Sequence, residues 1–372
     1  MSTLNYIIWS QDPEIFRIPL SILGWEDRPI VWYGLLFALG FILSQQVMYH
    51  IFKVEGKPVK DVDTLTTYMV VAVIVGARLG HCLFYDPVYF LSNPLEILKV
   101  YEGGLASHGG ALGILIALYI FVRKMKGYTW FWMVDRLVIV CALTGALIRT
   151  GNLMNSEMEG IETNSDYGLV YARGTEDVLK FDDEKVASVS FEKGGKAESD
   201  VPGRYPVTAI VEFKEGVTFG SEQDKRFVEY NIRRSLLGYS EVVQHIDFGG
   251  NTLNYEIKQS GGRSILEIYG VGIVRHPAQM YEAFYCLLLM VLLYWLWANK
   301  RQVLPVGFMF SLFMMLLWSL RFFDEFFKMD QEAFEADLPL NMGQWLSIPL
   351  FLMGLGVMIY AYRRKSADSG GS

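Results

Sequence analysis

Residues 31–52 read VWYGLLFALGFILSQQVMYHIF and contain no Asp, Glu, Lys or Arg. A helix of roughly 18 to 25 mostly apolar residues crosses the hydrocarbon core of a bilayer, so this stretch alone predicts a membrane protein. Working outward, six further segments meet or approach the same standard. Residues 64–83 are interrupted only by Arg78, residues 103–122 carry no charge, and residues 131–153 hold Asp135 and Arg136 near one end and Arg149 near the other. Residues 279–298 contain Glu282 alone, while 303–320 and 338–362 are charge-free. The expected fold class is membrane all-α, a seven-transmembrane helix bundle.

Lys and Arg accumulate in cytoplasmic loops. Lys53, Lys57 and Lys60 follow the first span, Arg123, Lys124 and Lys126 the third, Lys300 and Arg301 the fifth, and Arg363, Arg364 and Lys365 the seventh. Every second loop is basic, which puts the N-terminus outside and the C-terminus in the cytoplasm. The first residues, MSTLNYIIWSQDPEIF, lack the basic and apolar stretches of a cleaved signal peptide, so the first internal span is expected to start insertion.

Between spans four and five lies a different kind of sequence. Runs such as YPVTAIVEFKEGVTF, LNYEIKQ and SILEIYGV alternate in polarity and are broken by GG, PG and GN, which predicts a small β-rich unit on the extracytoplasmic side. Residues 161–270 hold 19 acids and 13 bases, which supplies most of the net charge of -7 and leaves no basic footprint for nucleic acid. The expected layout is an external segment 1–30, spans one to four in 31–160, the β-rich insertion 161–270, spans five to seven in 271–365, and a polar, disordered tail 366–372. With 52% hydrophobic and 20% charged residues and a mean hydropathy of +0.25, the composition suits a membrane protein with a wet portion. Cys82, Cys141 and Cys286 each lie in an apolar run and read as small buried hydrophobes.

An ionisable group inside a span costs roughly 2.5 to 3.5 kcal/mol, which makes it a functional candidate. Arg78, His108, Arg149, Glu157, His276, Glu282, Arg321 and Glu325 all fall near the outer ends of spans two to six. That clustering suits an enzyme acting on a phospholipid headgroup and an exported substrate. Snorkelling and helix-end pairing are the structural alternative for each residue taken singly.

These residues also carry a resemblance. Arg149-Thr-Gly151-Asn152-Leu-Met-Asn155-Ser-Glu157-Met-Glu-Gly160 resembles the signature G-R-x-G-N-F-x-N-x-E-x-x-G of the prolipoprotein diacylglyceryl transferase family. In order around it stand Val31-Trp32-Tyr33-Gly34, Gly76-Ala77-Arg78-Leu79-Gly80, Tyr101-Glu102-Gly103-Gly104 leading to His108, His276-Pro277-Ala278-Gln279-Met280-Tyr281-Glu282, Arg321-Phe-Phe-Asp-Glu325, and Gly343-Gln344 leading to Pro349. The resemblance covers about residues 25 to 160 and 270 to 365. Ile148 and Leu153 depart from the usual glycine and phenylalanine, and Leu317 stands where the family often has a tyrosine, beside Trp318.

The resemblance implies an enzyme of the bacterial inner membrane that moves the diacylglyceryl group of phosphatidylglycerol to the cysteine of prolipoprotein signal peptides bearing a lipobox. A cysteine thiolate attacks the glycerol carbon that bears the phosphate, and glycerol 1-phosphate leaves. Arginine suits the departing phosphate because its planar fork grips two oxygens, which selects Arg149 and Arg321 as the clamp. His108 is either the general base, a role imidazole commonly takes, or a group that orients the headgroup. His276, before Pro277, reads as a capping or positioning group. Glu157 and Glu325 are expected to hold the arginines. Asn152 and Asn155 donate to substrate oxygens, Gly151 and Gly160 allow a tight turn, and Arg78, Tyr33 and Tyr281 are further headgroup contacts. Asp135 reads on physical grounds as pairing with Arg136 or a neighbouring helix end. Neither candidate histidine has a second histidine or cysteine at ligand spacing, so no metal and no cofactor is expected.

Two other classes compete. A transporter would show inverted repeats and midplane charges, whereas no repeat is visible and the charges lie toward one leaflet. A membrane-anchored binding protein would leave the intramembrane arginines unexplained.

Overall fold

The structure, a computed structural model, describes residues 5–21, 24, 26–100, 103–181, 185–217, 222–250, 252–329 and 338–370. Tyr101 and Glu102 of the motif before His108 lie outside them. In chain order the elements are β1 (Ile7–Trp9), β2 (Glu14–Ile18), β3 (Arg28–Val31), α1 (Trp32–Val54), α2 (Lys60–Phe84), α3 (Pro87–Ser92), α4 (Ser107–Lys124) and α5 (Trp130–Met154). Then follow β4 (Leu169–Tyr171), α6 (Arg173–Phe181), β5 (Val186–Lys193), β6 (Arg204–Phe213), α7 (Glu222–Phe227), α8 (Arg233–Gly238), α9 (Ser240–Val243), β7 (Ile246–Asp247), β8 (Asn254–Ser260) and β9 (Arg263–Ile273). The chain closes with α10 (Ala278–Lys300), α11 (Phe308–Asp324) and α12 (Met342–Gly370). It divides into two compact units.

The helical unit comprises Leu36–Ile148, Ala283–Phe322 and Met342–Ser372. Helices α1, α2, α5, α10 and most of α12 are long and apolar enough to cross a membrane. Two predicted spans are shorter than expected, because backbone and not hydropathy sets their starts. Gly103 and Gly104 adopt φ of 91° and 68°, outside the right-handed helical region, so α4 begins only at Ser107 and has 18 residues. Pro305 and Gly307, with φ of 97°, likewise delay α11 to Phe308 and leave it 17 residues. The apolar core gathers Phe52, Phe121, Met133, Ile139, Leu293 and Trp297. Leu112, Phe284 and Val291 are 58%, 64% and 56% exposed on the helix flanks. Apolar surface on this scale is stable facing lipid and not facing water.

Glycines bring α2 and α4 together. A Cβ on Gly109 would lie 2.3 Å from the carbonyl oxygen of Gly76 and 2.7 Å from Cα of Gly80, and one on Gly113 would lie 2.3 Å from the oxygen of Ala72. Both helices thus present a small-x-x-x-small stripe, the device by which membrane helices approach backbone to backbone. Buried charge is fully used elsewhere in this unit. Glu55 takes a two-pronged contact from Arg136 at 3.0 and 2.9 Å and accepts from the indoles of Trp132 and Trp297. Asp135 accepts the backbone N–H groups of Gly307 and Phe310 at 2.7 and 2.8 Å, capping the start of α11. The neighbouring helix end is therefore its partner. Cys82 and Cys286 are buried as expected, whereas Cys141 lies on an exposed face of α5.

The mixed unit comprises Met1–Leu35, Arg149–Glu282 and Phe323–Asn341. Its centre is an antiparallel sheet in the order β5-β6-β9-β7, with β8 also paired to β9. β6 and β9 pair from Arg204↔Ile273 to Glu212↔Ile265. Along β6, Val207, Ala209, Val211 and Phe213 alternate inward, as a half-buried strand requires. β1 pairs in parallel with β4, and β2 with β3 as an antiparallel hairpin. The core joins Phe213, Leu236, Ile246 and Ile268 to Tyr6 and Val274. β9 runs to Ile273, past the predicted boundary at 270, because the sheet's pairing continues to that residue.

Candidate active site

Helix α5 ends at Met154 because Ser156 takes φ of 52°, a left-handed residue at the position where helices usually place glycine. The N–H groups of Asn155, Ser156 and Glu157 return to the carbonyls of Gly151, Leu153 and Asn152, and Trp9 donates its indole N–H to the Leu153 carbonyl at 3.0 Å. Met158 is also left-handed, with φ of 59°. The tight turn expected of Gly151 and Gly160 is therefore made by Ser156 and Met158. The two glycines serve close approach instead. Gly151 faces Tyr33, whose Cα would be 3.1 Å from an added Cβ. At Gly160 a Cβ would stand 2.3 Å from the His276 carbonyl oxygen and 2.7 Å from that of Phe327.

Around Gly160 three motif segments are laced by backbone. Gly160 N–H donates to His276 O, His276 N–H to Ile161 O, Ile161 N–H to Phe327 O, and Met329 N–H to Glu159 O. Segments far apart in sequence thus share one hydrogen-bonded crossing, and only a residue without a side chain fits at its middle.

A chain of polar contacts radiates from there. Arg149 forms an ion pair through Nε with Glu282, and its Nη1 donates to Asn152 Oδ1 at 3.1 Å and to Met158 Sδ at 2.8 Å. Asn152 and Asn155 donate their amides to the two oxygens of Glu157 at 2.9 and 3.1 Å. Glu282 passes its other oxygen to Lys328 Nζ at 2.6 Å, and Lys328 also reaches Glu325 at 3.0 Å and Asp324 at 3.2 Å. Glu282 and Lys328 are each 3% exposed, so this is a buried network in which both cations, Arg149 and Lys328, meet carboxylates. Asn341 donates to Glu325 at 3.3 Å.

One expected role changes. Glu157 was expected to hold an arginine; Glu282 is the direct partner of Arg149, and Glu157 meets Asn152, which Arg149 also contacts. Glu325 pairs with Lys328 and accepts from Asn341. Lys328 was not singled out from the sequence, although its spacing of three and four from Glu325 and Asp324 marks one helix face.

His276 accepts or donates at Nδ1 to Tyr281 Oη at 3.0 Å and packs edge-on against Phe327. Its partial burial holds the imidazole below its ordinary range. Gln279 links the layers, donating to the Glu157 carbonyl at 2.5 Å and accepting from Tyr171 at 3.0 Å. Tyr33, Arg149, Asn152, Asn155, Glu157, Gly160, His276, Tyr281 and Glu325 therefore all fall within the mixed unit.

Arg78, His108 and Arg321 belong to the helical unit. Arg78 spends its fork on backbone carbonyls, those of Glu96, Ile97, Gly103 and Gly104 at 2.6 to 3.4 Å, and lies over the Phe90 ring. This arrangement orders the connection that delivers α4. His108, the second residue of α4, is exposed and packs its ring against Phe84 and Tyr85. Arg321 is half-buried above the Trp318 ring at 5.8 Å, while Leu317 packs against the apolar core. Trp318 thus occupies the arginine's neighbourhood, one position after the departure at Leu317. Among the described residues no three His, Cys, Asp or Glu side chains converge on a metal position.

A family model described as prolipoprotein diacylglyceryl transferase matches residues 21–360. Similar proteins carry the name phosphatidylglycerol–prolipoprotein diacylglyceryl transferase. One from Tolumonas auensis is 31% identical over 97% of this chain and 99% of its own length. Others, from Chloroherpeton thalassium and Porphyromonas gingivalis, are 30% and 31% identical over 99% and 98% of this chain and 99% and 97% of their own. Coverage on this scale gives the 161–270 block a counterpart in each of these relatives. With the family model spanning almost the whole sequence and the signature folded into one buried polar network, the chain belongs to the prolipoprotein diacylglyceryl transferase family.

Proposed function

We propose that this protein transfers the diacylglyceryl group of phosphatidylglycerol to the lipobox cysteine of a prolipoprotein, the first step of lipoprotein maturation. The observation that carries the reading is the Arg149 guanidinium, fixed by Glu282 and Asn152 at the end of an apolar helix. The sulfur forms a bond to the glycerol carbon and the carbon–oxygen bond breaks. The electron pair leaves on the phosphate of glycerol 1-phosphate, and the thiol proton goes to a base. Arg149 and Arg321 stabilise the departing dianion, whose charge grows in the transition state. His108 is the base assigned to the thiol, which ionises near pH 8.5 on its own. Asn152, Asn155, Tyr33 and Tyr281 orient the headgroup, while Gly160, His276, Glu157 and Glu325 keep the crossing and the network in register. Arg78 positions the chain that leads to His108.

The setting is the bacterial inner membrane, with seven spans once α4 and α11 are counted, the N-terminus outside and the C-terminus in the cytoplasm. Alternating basic loops support this orientation, and it places residues 161–270 outside as a β-rich insertion. The test is incubation of the purified protein with phosphatidylglycerol vesicles and a lipobox peptide. Mass spectrometry should show one diacylglyceryl group on cysteine, and an unmodified peptide would refute the assignment.

A further inference from the structure

The end of α2 carries a face that the chemistry above uses only at Arg78. Ala77, Arg78, His81, Phe84 and Tyr85 recur at the three-and-four spacing that puts side chains on one side of a helix. Each meets the chain that delivers His108. The carbonyl of Ala77 accepts the N–H of Ala106 at 2.9 Å, and Arg78 donates to the carbonyls of Gly103 and Gly104. His81 lies against Gly104, where an added Cβ would stand 2.6 Å from two atoms of its imidazole. Phe84 and Tyr85 reach His108 itself. The Phe84 ring stands edge-on to the imidazole with centroids 5.1 Å apart, and the Tyr85 ring lies 30° from parallel at 6.2 Å. Tyr85 also stacks with His81 at 5.2 Å and 21°. The register is fixed because α2 and α4 meet backbone to backbone, a Cβ on Gly80 falling 2.7 Å from Cα of Gly109.

Phe84 and Tyr85 are 72% and 67% exposed, and neither belongs to the apolar core of the helical unit. Core packing therefore does not account for them, yet both converge on one imidazole. A general base needs a further group that fixes its ring, the part a carboxylate plays in a hydrolytic triad. Among the described residues no carboxylate or hydroxyl is hydrogen-bonded to His108, which is exposed and second in α4. The restraint comes from the two rings, at separations of about 4.5 to 7 Å where aromatic pairs attract.

We propose that Phe84 and Tyr85 are positioning residues for the transfer reaction, their rings holding the His108 imidazole in the orientation that takes the thiol proton; the proposal rests on the base role given to His108 above. The proton passes from sulfur to a ring nitrogen, and the electron pair left on sulfur forms the bond to the glycerol carbon. The carbon–oxygen pair departs with the glycerol phosphate. The two rings take no part in these bonds. They restrict the imidazole before the proton moves, so their removal reaches kcat and not substrate binding.

The test pairs two lipobox peptides that differ in one atom, carrying cysteine or selenocysteine, with the full chain in phosphatidylglycerol vesicles under reducing conditions. A thiol ionises near pH 8.5 and needs the base at pH 7, whereas a selenol is already ionised there. Tyr85→Leu and Phe84→Leu should each lower kcat for the cysteine peptide about tenfold with KM held within about twofold, because a positioned base contributes roughly a hundredfold or more. With the selenocysteine peptide the loss should shrink to less than about threefold, since no base is then required. Tyr85→Phe keeps the ring and should recover most of the turnover. His108→Gln is the reference, with a larger loss that selenocysteine also relieves. Equal losses on both peptides in the Leu variants, losses confined to KM, or an undiminished kcat would overturn the positioning assignment, while relief of His108→Gln by selenocysteine leaves the base reading standing. A His108→Gln protein that serves the cysteine peptide as well as the parent does, or that loses both peptides alike, would overturn the base and the positioning role together.

Discussion

The arginines differ in what the fold asks of them. Arg149 is held by a carboxylate, an amide and a thioether, so its orientation is prepaid. Arg149→Ala and Arg321→Ala should each lower transfer at least a hundredfold with membrane insertion intact, and Lys at either position should recover little, because an ammonium cannot reproduce a planar fork. Turnover by the Lys variants near that of the parent would reject bidentate phosphate binding. Lys328 carries a different load, neutralising Glu282, Glu325 and Asp324 in a dry pocket. Lys328→Met should destabilise the protein by about 3 to 5 kcal/mol, as removal of one partner from a buried ion cluster does, measured as a lowered unfolding midpoint in detergent. Glu159 provides a pH signature. Its raised value means that its contribution to stability is full below its ordinary 4.5 and is lost as pH rises through about 7. His245, lowered, contributes fully above 6.5 and loses that contribution as pH falls through about 4. Arg275 faces both and acts on each by its charge. Glu159→Gln removes only the first effect, so relative to the parent it should gain on the order of 2 kcal/mol between pH 4.5 and 7. A constant difference across that range would mean that Glu159 titrates normally.

At the scale of elements, glycine decides more than hydropathy. The α2–α4 contact admits no Cβ at Gly109, since both nearest atoms are backbone and cannot rotate away. Gly109→Ala should cost on the order of 3 kcal/mol and Gly109→Val more, seen in thermal unfolding monitored by tryptophan fluorescence. Substitution at Gly356, where an added Cβ meets nothing within 4 Å, is the control and should leave the midpoint unchanged. The small-residue spacing behind this contact was readable in Gly76-x-x-x-Gly80 and Gly109-x-x-x-Gly113. It passes unnoticed when spans are sought by apolar content alone. The delayed starts of α4 and α11 have the same origin, because left-handed glycines interrupt helices inside runs of uniform hydropathy.

At the scale of the whole molecule, the 161–270 block is packed into the rest of the mixed unit. Its core includes Tyr6 and Val274 from outside the block, and Tyr171 satisfies the buried Gln279, which in turn holds the Glu157 carbonyl. A Gly/Ser linker in place of 161–270 should therefore lose transfer even to a minimal lipobox peptide, with the protein still found in the membrane; retention of activity would make the block an accessory. The sequence by itself determined that the chain is a membrane protein and which family the signature belongs to. Those features depend on local hydropathy and on residues in fixed register. The partners of the signature residues were decided only by tertiary structure. Glu282 on Arg149 and the crossing at Gly160 join segments more than a hundred residues apart, Lys328 meets Glu282 from 46 residues away, and no local pattern specifies which carboxylate a buried cation will meet. That choice follows from chain packing, because a buried charge takes whatever partner the fold brings within reach of it.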